Sequence, residues 1–191
     1  MEAFWVSTGV VALGEMGDKT QLLAMLLATR FRRPMPIIWG ILVATLLNHA
    51  LAGAVGHLVA QLLGPTALRW IVGLSFIAMA AWMLVPDKLD DAEADAAKGH
   101  WGVFATTLVA FFLAEMGDKT QIATVALAAR YEAFVAVVAG TTLGMMLSNV
   151  PAVFFGDALA RRLSMRLVHG MAAALFLVLG LLTLFNVGSL F

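Results

Sequence analysis

The sequence predicts an all-α integral membrane protein of six transmembrane helices, arranged as two inverted three-helix repeats. Three observations carry that expectation. Of the 191 residues, 62% are hydrophobic and 13% charged, too few polar groups to cover a globular surface. The apolar residues fall in long blocks, several reaching the ~20 residues that a helix needs to cross a bilayer. The chain also repeats itself at an offset of 100 residues: Leu13 to Gln21 and Leu113 to Gln121 differ only at Gly14 versus Ala114.

The spans are expected at residues 3–29, 37–63, 67–85, 101–129, 133–159 and 167–190. Arg30-Phe31-Arg32-Arg33-Pro34 ends the first and Gly64-Pro65 the second. A polar stretch from Pro86 to His100, carrying Asp87, Lys88, Asp90, Asp91, Glu93, Asp95 and Lys98, ends the third. Arg161, Arg162 and Arg166 separate the last two. The repeat register continues through Leu27/Leu127, Arg30/Arg130, Gly40/Gly140, Leu47/Leu147, Ala52/Ala152, Gly56/Gly156 and Phe76/Phe176. Residues 1–85 thus form the first three-helix repeat, 86–100 an acidic linker and 101–191 the second repeat. Three is odd, so the second half enters the membrane from the opposite side. Inverted repeats of this kind set a binding site near the midplane, between the halves.

Basic residues orient the chain. Loops 1, 3 and 5 hold Arg30, Arg32, Arg33, Lys88, Lys98, Arg161, Arg162 and Arg166, against Arg69 and Arg130 on the other face. By the positive-inside rule loops 1, 3 and 5 are cytoplasmic, and both termini lie outside the cytoplasm. No basic run precedes the first apolar stretch, so that segment is expected to stay in the mature protein. Zero net charge implies no nucleic-acid partner. The lack of cysteine excludes disulfides, thiolate metal sites and cysteine nucleophiles. Trp5, Trp39, Trp70, Trp82 and Trp101 stand where an aromatic belt would meet the membrane surfaces.

Glu15, Asp18 and Lys19, and likewise Glu115, Asp118 and Lys119, fall in the middle of apolar spans. Each ionised group there costs at least ~3 kcal/mol, so these residues face one another, an ion or water. The i,i+3 spacing puts Glu15 and Asp18 on one helical face, with Gln21 extending it. Lys19 stands at i+4 from Glu15, suited to an intrahelical pair, and Gly17 invites local unwinding. Each motif has a net charge of minus one, so two facing motifs balance one divalent cation. Their oxygens suit calcium, magnesium or manganese. The first-choice ligands are Glu15, Asp18, Glu115 and Asp118. The alternative is a pair of salt-bridged clusters locking the bundle. Met16 and Met116 add a thioether or simply fill the core. Lys19 and Lys119 either neutralise a glutamate or replace the cation as an internal charge.

Asn48-His49 aligns with Ser148-Asn149 on the second helix of each half. Asn48 and Ser148, with Gln21 and Gln121, are second-choice ligands; the alternative is interhelical hydrogen bonding. Pro151 is expected to kink its helix, Asp157 and Arg161 to pair, and the acidic loop to be a solvated linker.

The two E-M-G-D-K-T motifs, Glu15 to Thr20 and Glu115 to Thr120, resemble the paired E-x-G-D-[KR]-[ST] signature of a cation/proton exchanger family. Its members include Golgi and thylakoid manganese–calcium transporters and bacterial manganese exporters. The resemblance spans nearly the whole chain, and neither copy departs from the pattern. It implies no enzyme and no cofactor, but a transported divalent cation, manganese ahead of calcium, with protons as counter-substrate and the lipid bilayer as surroundings. It also implies that the four carboxylates form the cation site. The compact length points to manganese export across a bacterial inner membrane. Exchange has a physical basis: emptied of metal, close-set carboxylates in a dry core take up protons in its place. A calcium/proton exchanger is the alternative within the class. A small-solute, amino-acid type exporter is one outside it, although no aromatic or basic midplane cluster offers an organic ligand a site. Intramembrane hydrolysis fits poorly, because two symmetric acid pairs suit passage better than asymmetric catalysis.

Overall fold

A computed structural model describes residues 1–85, 91–99, 101–160 and 165–186. Among the described residues the chain forms nine helices and no strand: α1 (Glu2–Glu15), α2 (Lys19–Phe31), α3 (Pro34–Leu62), α4 (Pro65–Trp82), α5 (Asp91–Ala96), α6 (Val103–Glu115), α7 (Lys119–Tyr131), α8 (Phe134–Ala160) and α9 (Met165–Leu184). Four stretches are long and apolar enough to cross a membrane: Pro34–Leu62, Pro65–Trp82, Phe134–Phe155 and Arg166–Leu184. Pro34 and Pro65 open α3 and α4, where the missing N–H costs nothing. Their outward faces are apolar, as with the exposed Leu47, Leu51, Val55 and Leu58 of α3.

The expected spans 3–29 and 101–129 are not single helices. Each is cut at its motif, α1 from α2 and α6 from α7. Gly17 and Gly117 adopt φ of 85° and 77°, a conformation that stops a right-handed helix and that glycine tolerates best. The break corrects two expectations. Glu15 and Asp18 are not i,i+3 neighbours on one helical face, and Lys19 is not an i,i+4 partner of Glu15 within one helix. The unwinding invited at Gly17 replaces both.

Each broken pair lies along the long helix of the other half. A Cβ added at Gly140 would stand 2.4 Å from the Phe4 carbonyl oxygen, and one at Gly144 2.6 Å from that of Thr8. Helices α1 and α8 therefore run side by side in the same direction. Gln21 of α2 continues the line by donating to the Ser148 carbonyl at 3.2 Å. In the other half, a Cβ at Gly40 would stand 3.0 Å from the Phe104 carbonyl oxygen, and Asn48 donates to the Phe112 carbonyl at 3.1 Å. Gly56 then packs on Val125 and Ala128, so α6 and α7 follow α3 end to end. Helices α4 and α9 run in opposite directions: Gly73 meets Leu184 and Gly180, and the rings of Phe76 and Phe176 lie 6.1 Å apart.

Two apolar clusters flank the motifs. One joins Val10, Leu68, Val72, Phe76, Leu127 and Phe176, the other Leu23, Leu27, Ile37, Ile41, Phe111 and Ala152. The linker, expected to be solvated throughout, is partly packed. Ala97 is buried in the second cluster, and Arg30 of α2 donates to the carbonyls of Ala97 and Lys98. The charged linker side chains Asp95 and Lys98 stay in water and pair at 2.7 Å. Hydrogen bonding to Asp95 holds the Lys98 ammonium above the usual lysine range. At the repeat-equivalent position, Arg130 is buried and donates to Thr183 Oγ1 at 2.8 Å. The expected pairing of Asp157 with Arg161 lies outside the described residues.

Candidate cation site

The breaks fall halfway along the long helices. Asn48, which Gln121 reaches across the bundle at 3.4 Å, is the fifteenth of the 29 residues of α3. There each chain break is stitched locally in the same way. The Gln21 side-chain amide oxygen Oε1 accepts from the Gly17 N–H at 3.0 Å, and that of Gln121 from the Gly117 N–H at 2.7 Å. Asp18 caps α2, its Oδ1 accepting from the Lys19 N–H at 2.8 Å, and Asp118 occupies the equivalent cap position of α7. The first N–H group of α2 thus meets the Asp18 carboxylate, where a helix start favours negative charge.

Glu15 and Glu115 are fully buried, and Asp18 and Asp118 nearly so. Carboxylate oxygens of Glu15, Glu115 and Asp118 lie within 4.8 Å of one another. Asp18 stands outside that group of three. One oxygen of each glutamate is positioned by the threonine five residues on: Thr20 donates to Glu15 Oε2 at 2.5 Å and Thr120 to Glu115 Oε2 at 3.0 Å. The other oxygen, Oε1 in both, has no hydrogen-bond partner among the described residues. Two buried oxygens so placed, beside a third carboxylate, are hard donors of the kind that could hold a divalent cation.

The second-choice residues are at the same level but tie helices together. Gln21 meets Ser148 through the serine's backbone carbonyl, and Gln121 meets the Asn48 side chain. His49 is buried, with no partner for either ring nitrogen among the described residues, and does not join the carboxylates. Sequence reasoning passed over Thr20 and Thr120 as ligand-orienting groups. The available signal was their presence in both copies of the motif. It also left open the role of Lys119, which is buried and donates to the Val85 carbonyl at 3.1 Å, just beyond the end of α4.

A sequence model of the family described as "Divalent cation/proton antiporter GDT1" matches residues 3–91 and 103–189, one stretch around each motif. The chain belongs to the GDT1 family. Members of this family are transporters rather than enzymes, and the buried carboxylates fit that chemistry. Among GDT1 relatives, a Vibrio cholerae protein named "Putative manganese exporter" is 49% identical over 186 residues, covering 97% of this chain and 92% of the relative. A GDT1-like protein of Synechocystis sp. is 31% identical over 193 residues, covering 92% and 93%. GDT1-like protein 3 of Oryza sativa is 29% identical over 201 residues, covering 92% of this chain and 71% of the relative. No solved structure matches the chain.

Proposed function

We propose that the chain exports manganese across a bacterial inner membrane in exchange for protons, with the ion bound between two inverted halves. Those halves are residues 1–85 and 101–191, joined by the cytoplasmic linker 86–100, with both termini outside the cytoplasm. The ligands are Glu15, Glu115, Asp118 and Asp18, and the amides of Gln21, Gln121 and Asn48 with Ser148 shape the surrounding level. The observation that carries this reading is the convergence of three buried carboxylates from two separate motifs within 4.8 Å. Opposed α4 and α9, and broken helices laid along the long helix of the opposite half, support the inverted arrangement. The name of the Vibrio cholerae relative supports manganese over calcium. Metal and protons compete for the same carboxylate oxygens, which is what an exchange requires.

The test is uptake into proteoliposomes of purified protein, with manganese, calcium and magnesium in turn, with and without a pH gradient. Manganese is expected to move opposite to protons flowing down an imposed gradient, and Glu15→Gln and Glu115→Gln to abolish the movement. Transport that ignores the gradient, or that survives both substitutions, overturns the reading.

A further inference from the structure

The two motifs are alike in sequence but not in the structure. Asp118 joins both glutamates within 4.8 Å, whereas Asp18 is not part of that close group. Lys119 is buried, whereas Lys19 is half-buried. Gln21 is buried and Gln121 half-buried, and Met116 and Gly117 are exposed where Met16 and Gly17 are half-covered. These differences lie between positions 100 residues apart, in elements whose main partners correspond, α1 and α2 on α8 and α6 and α7 on α3. One arrangement of the chain therefore displays two states of one motif.

Direction gives the difference a meaning. Asp18 opens α2 and so lies on the side of the glutamates that leads to the α2–α3 junction at Arg32. Asp118 opens α7 and lies on the side that leads to the α7–α8 junction at Glu132. Helices α6 and α7 follow α3 from its start toward its end, while α3 and α8 meet with Gly53 at Phe134 and Val138. The two junctions are thus at opposite ends of the bundle. Exchanging the conformations of the halves leaves Glu15 and Glu115 in each other's places and replaces Asp118 by Asp18.

We propose that the aspartates serve in turn: Glu15, Glu115 and Asp118 hold the ion in the conformation described, and Glu15, Glu115 and Asp18 hold it in the oppositely facing one. The glutamates are the constant ligands and each aspartate belongs to one face of the membrane. Three carboxylates already exceed the charge of a divalent ion, so a fourth close by adds repulsion, and handing one over as another arrives keeps that number constant. Lys119 moves with this exchange. Its bond to the Val85 carbonyl ties the second motif to the end of α4, and the repeat-equivalent bond in the other conformation joins Lys19 to the Phe185 carbonyl.

This inference rests on the divalent-cation reading of the site, and sided transport separates the two. The half-saturating manganese concentration is measured in right-side-out and in inverted membrane vesicles. Asp118→Asn is expected to raise it at least ~10-fold from the face of the α7–α8 junction and to leave it within ~3-fold from the other, with Asp18→Asn doing the reverse. Glu15→Gln is expected to abolish transport from both faces. Should an asparagine variant fail to accumulate, Asp18→Glu and Asp118→Glu keep the charge and are expected to show the same sidedness. Equal effects of the two aspartates on both faces overturn the exchange while the cation site stands. Unchanged saturation in Glu15→Gln and Glu115→Gln overturns both.

Discussion

Thr20 and Thr120 show how much one hydroxyl does at a buried carboxylate. Each donates to the glutamate five positions before it, across a chain break that sets the donor and acceptor face to face. The free oxygen of that glutamate is aimed by the bond on the other. Thr20→Val keeps the shape and removes the donor; it is expected to raise half-saturating manganese ~10–100-fold in proteoliposome uptake, while Thr20→Ser stays within ~3-fold. Equal behaviour of the valine and serine variants would reduce Thr20 to a space filler. The charged residues of the site were legible in the sequence because ionised groups in an apolar span stand out against their surroundings. The threonines were not, because a hydroxyl is common in membrane helices and its partner depends on a turn that sequence spacing does not describe. An i,i+5 contact is foreign to a continuous helix. It appears only once Gly17 has taken a positive φ.

At the scale of elements, the close seams are between α1 and α8 and between α6 and α3, and glycine makes them possible. A Cβ at Gly140 would lie 2.4 Å from a backbone oxygen that cannot rotate away. Gly140→Ala is therefore expected to cost ~1–3 kcal/mol and to lower the thermal unfolding midpoint in detergent. Gly9, on the same α1, has no atom within 4 Å of such a Cβ. Gly9→Ala should raise the midpoint instead, by the ~0.5–1 kcal/mol that alanine gains over glycine in a helix. A fall of equal size in both variants would mean that the effect is helical propensity and not contact. The long helices were legible because their apolar runs exceed the bilayer and end at Pro34, Pro65 and Arg161. The division of the first and fourth spans was only half legible. Gly17 hinted at it, but Glu, Lys and Gln around it are good helix formers, and the cost of the break is met by cap and glutamine contacts that involve tertiary placement. The packing of Ala97 was hidden by its charged neighbours.

For the whole molecule, each half finds its main partners in the other. Helix α1 rests on α8, α6 on α3, and α4 on α9. Neither half has a core of its own, since both apolar clusters draw on residues from either side of the linker. Residues 1–90 and 91–191 expressed as separate chains are expected to copurify in detergent and to transport manganese together, whereas each alone aggregates. Independent folding of either piece, seen as a monodisperse peak without its partner, would contradict this account of the packing. The depth of the site has an electrical consequence. Asn48 marks the middle of a 29-residue helix, so an ion at the level of the carboxylates has crossed about half of the membrane potential, whichever face it entered. At ~2.3 kcal/mol per elementary charge per 100 mV, a doubly charged ion gains or loses ~2.3 kcal/mol over that half-journey. Two protons returning over the same oxygens reverse this displacement in full, and one proton reverses half of it. Current across an oriented membrane during turnover therefore counts the protons returned for each metal ion.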